Sequence, residues 1–163
     1  RAAGWPLAIA YLVGAGVRGE VGGGWWLFPR LAAFRLPPRR TPEDLWHDDA
    51  ALLRGWAAGR APTLLVYVAE ANQGTILGVA MVSLRDELLS HAPSAHLEVL
   101  VVDAAAEGRG IGRALVHSAE QAARAQGVQS ITLHVFANNT RARAVYEALG
   151  YDGELLRYIK HFE

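Results

Sequence analysis

Three glycines stand at alternate positions in the run Glu107-Gly108-Arg109-Gly110-Ile111-Gly112. The residues before them (Leu97, Val99, Leu100, Val101, Val102) form an apolar, largely β-branched stretch that predicts a buried strand. The residues after them predict a helix over 110–126, with Ile111, Ala114, Leu115, Ser118 and Ala122 on one stripe and Gly127 to end it. Those mostly small side chains let the helix lie close to a sheet. Strand, glycine turn and helix N-terminus together suit the binding of phosphate. Glycine lets backbone approach a ligand closely, and the first free N–H groups of a helix point at an anion. Glycines at this spacing are common in turns; their place between a buried strand and an amphipathic helix gives them weight.

Composition narrows the choices. A chain of 163 residues with 52% apolar and 20% charged side chains predicts one soluble domain, residues 1–163, with a real core. Sixteen basic and sixteen acidic residues cancel, which argues against nucleic acid as a partner. With no cysteine there is no disulfide, thiolate zinc site or cysteine acyl-enzyme, and the cytoplasm is the expected location. The six histidines are scattered without ligand spacing, so no metal is expected and each reads as a surface or structural histidine. The apolar run from Trp5 to Val17 is too short to span a bilayer, so no membrane association is expected either.

In chain order, Leu7–Val13 reads as a first strand, and 14–24, with six glycines in eleven residues, as a loop. Trp25–Phe34 reads as a short helix interrupted near Pro29. Thr41 as N-cap, Pro42 at the first helical position and Glu43 and Asp44 in the first turn start a helix running to Ala58, with Leu45, Leu52, Leu53 and Trp56 on its apolar side and Gly59 after it. Thr63–Ala69 and Thr75–Arg85 read as strands joined by a hairpin turn at 71–74, and 86–94 as a loop. The central strand over 96–102 is followed, after the helix, by a strand at 130–136. A last helix at 140–149 is capped by Asn138 or Asn139 and stopped by Gly150, and Glu154–Phe162 reads as a final strand.

With these elements in place, the chain resembles the GNAT superfamily of acetyl-coenzyme A-dependent N-acetyltransferases. One family motif is Arg or Gln, two residues, Gly, one residue, then Gly or Ala; it falls on 107–112. A second is filled by Asn139, Ala142, Tyr146 and Gly150-Tyr151. The resemblance covers the chain from about Thr63 onward. It implies an α/β (α+β) fold, a mixed, mostly antiparallel sheet flanked by helices and splayed between the central strand (96–102) and the next (130–136). The family carries a basic or amide residue where Glu107 stands. An acid beside a diphosphate repels it, so weakened cofactor affinity is expected, offset by Arg109 and Arg113.

Amine acetylation sets three tasks. An ammonium must lose a proton, the thioester oxygen needs a fixed donor, and the thiolate leaves more easily if protonated. The resemblance implies that acetyl-CoA lies along Leu100, Val101 and Val102, with an N–H near Val101 polarising the carbonyl. Its diphosphate would rest on Gly108, Arg109, Gly110, Ile111, Gly112 and Arg113, and Asn139 and Ala142 would complete the cofactor site. Glu98 would be the catalytic base, Tyr146 the acid, and transfer direct in a ternary complex. The acceptor is a primary amine of a small molecule or peptide, and an edge strand near the C-terminus offers a surface for a homodimer.

Each residue also has a purely structural reading. Tyr146 lies on the stripe Ala142, Val145, Tyr146, Leu149 and could be core; Glu98 could be salt-bridged; Asn139 could only cap its helix. His134 could face the acceptor groove or be an ordinary sheet histidine. Trp25, Trp26 and Phe28 read as aromatic core more readily than as acceptor pocket. Two other functions compete: a non-catalytic acyl-CoA sensor of the same fold, motivated by Glu107 and the unusual N-terminal third, and a dinucleotide-binding domain. The second is disfavoured because Ala125-Gln126-Gly127 stands where an acidic ribose ligand should end a strand.

Overall fold

The computed structural model describes residues 8–11, 22–71 and 74–163. Five strands form one sheet in the order β1 (Ala8–Tyr11), β2 (Leu64–Glu70), β3 (Ile76–Asp86), β4 (Pro93–Val102), β5 (Ser130–Leu133). The first four are antiparallel neighbours and β5 is parallel to β4. Three α-helices accompany them, α1 (His47–Ala57), α2 (Ile111–Ala125) and α3 (Thr140–Ala148), with a 3-10 helix at Gly22–Ala32. This is the mixed, mostly antiparallel, helix-flanked sheet expected from the sequence.

Strand alternation divides the core in two. On one face, Leu27 and Phe28 of the 3-10 helix and Ala50, Leu53 and Trp56 of α1 pack on Val66, Val68, Val79, Met81, Val99 and Val101. On the other, Ile111, Leu115, Val116, Ala119 and Ala123 of α2 pack on Tyr67, Ala69, Ala80, Val82, Ala95 and Leu97. Small residues let α2 approach: a Cβ at Gly78 would stand 2.9 Å from Leu115 Cδ1 and 3.0 Å from the Val101 carbonyl oxygen.

Several boundaries differ from the sequence reading. Only part of the expected first strand and of the 14–24 loop lies among the described residues; Gly22–Gly24 open the 3-10 helix, which runs on through Pro29 instead of breaking there. The Thr41 start signal is real but opens a 3-10 turn: Thr41 N–H donates to Asp44 Oδ2 (2.8 Å), Asp44 N–H donates to Thr41 Oγ1 (3.3 Å), and the α-helix starts at His47. Two residues of the 71–74 turn lie outside the described set, and Gly74 takes φ +82°. The loop before β4 shrinks because Glu87 closes it, accepting from the N–H groups of Leu89 and Ser90, so the strand begins at Pro93. The final strand expected at Glu154–Phe162 is not formed. That segment pairs with no described strand and leaves Leu155, Leu156, Tyr158, Ile159 and Phe162 exposed. The segment runs instead as irregular chain whose end reaches Arg39, with Arg39 Nη1 donating to the Phe162 carbonyl at 3.5 Å, and the outer edge of β5 stays unpaired among the described residues.

Two glycine substitutions should move stability in opposite directions. Gly78→Ala forces a methyl against backbone and is expected to cost about 1–3 kcal/mol. Gly55→Ala, in α1 with nothing within 4 Å of the added Cβ, should stabilise by roughly 0.5–1 kcal/mol. Urea denaturation of both variants checks the pair.

Candidate functional site

The site forms where β4 leaves β5. The two strands pair from Ser94–Ser130 to Leu97–Leu133 and no further, although β4 runs on to Val102. Thus β5 ends three residues short of the expected Phe136, and the predicted splay opens just beyond Leu97. On its other side β4 stays paired with β3 as far as Gly78–Val102, with an irregularity between Met81 and Val82 that leaves Glu98 as the extra, bulged residue.

The ladder fixes which peptide groups face the gap. Asp103 N–H donates to Leu77 O at 2.8 Å, so the hydrogen-bonded pairs continue at Val79–Val101 and Met81–Val99. The peptides of Leu100 and Val102 therefore point away from β3, into the gap. Val101 itself has its peptide committed to β3 and its side chain to the core, so the gap-facing N–H groups nearest it are those of Leu100 and Val102. The Val102 carbonyl accepts from Arg30 Nε at 2.8 Å.

Beyond β4, the glycine turn keeps its donors free. Among the described residues no N–H from Gly108 to Arg113 donates to a backbone group or side chain, and the first helical bond is Ala114 N–H to Gly110 O. Gly108 and Gly110 take φ +73° and +78°, which require glycine. At Gly112 a Cβ would make only ordinary contacts, 3.7 Å from Val102 Cγ2, so the protein itself does not demand glycine there. Arg109 and Arg113 are exposed and pair with no described residue. Six free N–H groups and two free guanidiniums fit a diphosphate.

Glu107 is not neutralised by those two arginines, as the sequence suggested. Arg30 Nη2 lies 2.5 Å from its Oε1 and Arg141 Nη2 lies 2.6 Å from its Oε2. The Arg141 hydrogen bond, followed by the charges of Arg141 and Arg30, holds the Glu107 carboxyl below the usual range. Asn139 caps α3 by accepting from Ala142 N–H at 3.3 Å, leaving its amide donors uncommitted. The neighbouring Asn138 instead donates to the Arg35 carbonyl at 2.7 Å. Tyr146 packs on the α2-side core beside Leu100 and Val102, edge-on to Tyr151, and its hydroxyl bonds no described residue. Burial pushes it up to about 12.

On the opposite face, Glu98 accepts a hydrogen bond from the Ser83 hydroxyl and lies 3.8 Å from Arg85 Nη1 and 4.0 Å from His96 Nε2. His96 is buried. Its Nδ1 meets Thr132 Oγ1 at 2.8 Å, and its ring lies 4.7 Å from that of His134. Burial pushes His96 down to about 4, with Glu98 opposing and Arg85 and His134 assisting, so it is neutral. The sequence reading missed Asp49. It lies on the inward stripe Trp46, Asp49, Ala50, Leu53, Trp56 of α1, a spacing that could have revealed a carboxylate facing β4. Desolvation, then the Glu98 and Asp48 charges, push it up to about 7. Phe28 is core, as expected, whereas Trp25 and Trp26 are largely exposed, Trp25 beneath Arg54 at 5.9 Å. Among the described residues no three His, Cys, Asp or Glu side chains gather as a metal site, and no helix is long and apolar enough to cross a membrane.

The model of the acetyltransferase (GNAT) family matches residues 29–151. The chain belongs to this family. It is 39% identical over 128 residues to a mycothiol acetyltransferase of Beutenbergia cavernae, covering 77% of this chain and 40% of that protein. It is 30% identical over 128 residues to the mycothiol acetyltransferase of Renibacterium salmoninarum, covering 77% and 36%. The chain thus spans about two-fifths of the length of these relatives. The family fold is also seen in AAC(6')-Iy, solved with the bisubstrate analog CoA-S-monomethyl-acetylneamine: TM-score 0.68, 22% identity, 96% of this chain and 99% of that one.

Asp49 predicts a pH-dependent stability. Its folded value lies above that of the unfolded chain, so its burial is without charge cost in acid and destabilises as pH rises through about 7. Asp49→Asn should therefore stabilise at about pH 8, by roughly 1–2 kcal/mol after solvent screening, and change little below about pH 4. Urea titrations at the two pH values check it.

Proposed function

We propose that this chain is an acetyl-CoA-dependent N-acetyltransferase acting on a small, positively charged primary amine. The observation that carries the reading is the run of six free N–H groups, Gly108 to Arg113, at the end of a strand whose Leu100 and Val102 peptides face an open gap. Bound acetyl-CoA supplies the acetyl group activated as a thioester. Gly108, Arg109, Gly110, Ile111, Gly112 and Arg113 hold its diphosphate, and the amide of Asn139 beside Ala142 contacts its arm. The Leu100 and Val102 N–H groups offer the acyl oxygen a fixed donor.

Glu98 takes the proton from the acceptor ammonium, with Ser83 and Arg85 orienting the carboxylate. Tyr146, protonated at neutral pH like any tyrosine and made a weaker acid by its burial, gives its proton to the departing thiolate as negative charge develops there. The 163 residues contain no cysteine, which favours direct transfer in a ternary complex. The Glu98 carboxylate, joined by Asp49 as pH rises through about 7, favours a cationic amine. The mycothiol acetyltransferase relatives favour a small molecule over a peptide. The sensor alternative is weakened, because Glu107, one of its two motives, is matched by two guanidiniums.

Calorimetric titration with acetyl-CoA, followed by thiol-release assays over a panel of primary amines, tests the reading. Glu98→Gln and Tyr146→Phe should each lower kcat by about 100-fold while leaving acetyl-CoA affinity within about threefold. Unchanged turnover in both variants would remove these two residues from the chemistry.

A further inference from the structure

Glu107 stands where an acid should harm the site, one residue before the first glycine of the cradle. Its two carboxylate oxygens are divided between two guanidiniums. Arg30 comes from the 3-10 helix on one face of the sheet and Arg141 from the first turn of α3. Arg30 is fixed at a second point, the Val102 carbonyl at the mouth of the gap. One carboxylate therefore ties together three segments that border the cradle. The cluster keeps a net positive charge, since two guanidiniums face one carboxylate, and Arg109 and Arg113 add to it.

We propose that Glu107 is a positioning residue for the cofactor's diphosphate: it holds Arg30 and Arg141 at the edge of the Gly108–Arg113 turn, where their remaining N–H donors face the anion. An unrestrained arginine keeps its rotamer freedom and must lose it on binding. Arg141 has a side chain 75% exposed, so Glu107 removes that loss in advance. At this position an acid acts through two arginines. This rests on the reading of the turn as the diphosphate site of acetyl-CoA.

The sign of one substitution decides it. If Glu107 acted only as a nearby negative charge, Glu107→Gln would tighten acetyl-CoA. A positioning role predicts the reverse, because a glutamine has one acceptor oxygen for two guanidiniums. Calorimetry on the full chain should show Kd for acetyl-CoA raised about tenfold in Glu107→Gln, and raised by a similar factor for 3′-phospho-ADP, the half of the cofactor that carries the diphosphate. Arg141→Ala, an exposed change that does not threaten the fold, should raise Kd similarly, and the double variant should be little worse than either single one. A merely structural role would lower the thermal midpoint without this non-additive loss of affinity. Wild-type protein that binds acetyl-CoA, with Glu107→Gln binding it as tightly or more tightly, overturns the positioning role alone. Wild-type protein that fails to bind acetyl-CoA overturns the diphosphate reading, and this inference with it.

Discussion

The parting of β4 from β5 after Leu97 and Leu133 is the constraint on which the site depends. Two adjoining strands normally satisfy each other's backbone groups, and separating them inside a fold leaves a row of donors and acceptors without partners. The bulge at Glu98 makes this separation usable. Before it, His96 faces the α1 side and Leu97 the α2 side; after it, Val99 and Val101 face α1 while Leu100 and Val102 face α2. A regular strand would have put Glu98, Leu100 and Val102 on one face, forcing either a carboxylate into the α2 core or two aliphatic side chains out of it. The extra residue lets β4 carry a polar group on one face and complete the apolar packing on the other.

The same strand separates two electrostatic regions. Glu98 makes the bulge end negative, relieved by Arg85, with Asp49 adding to it only as pH rises through about 7, while the turn beyond Val102 presents free N–H groups and four arginines against Glu107. From Glu98 to Asp103 the chain advances about 15 Å, so neither region sits in the other's close field, and solvent screening weakens what remains. A cationic acceptor and an anionic donor would thus be drawn to different ends of one strand.

Much of this was legible in the sequence, for identifiable reasons. Periodicity and glycine position revealed β2 to β4, the cradle and α2, because apolar spacing and turn chemistry act locally. The Asn139 cap is likewise a local signal. The lost C-terminal strand shows the limit of such reading: β propensity at Leu155–Phe162 says nothing about whether the segment pairs with an edge. The clamp on Glu107 was illegible, because nothing in the chain links positions 30, 107 and 141 before folding brings them together. Asp49 was legible in principle. Of the apolar side expected at Leu45, Leu52, Leu53 and Trp56, the last three pack on the core, and a reading that follows apolar residues alone passes over a carboxylate next to Ala50.

The gap itself is chemically one-sided at its mouth. A peptide freed from a neighbouring strand exposes an acceptor as readily as a donor, yet at Val102 the carbonyl is taken by Arg30 Nε. The N–H groups of Leu100 and Val102 have no such partner among the described residues. Arg30 thereby removes the acceptor at Val102 and leaves that residue's N–H as the group presented at the mouth, the kind of donor needed where an electron-rich oxygen gathers charge. Its second bond, to Glu107, couples that mouth to the glycine turn, so one side chain from the 3-10 helix joins the end of β4 to the start of α2. This gives the N-terminal third, the least readable part of the sequence, a definite role in the site: its Leu27 and Phe28 anchor the segment in the core, and that anchorage holds Arg30 where both bonds can form.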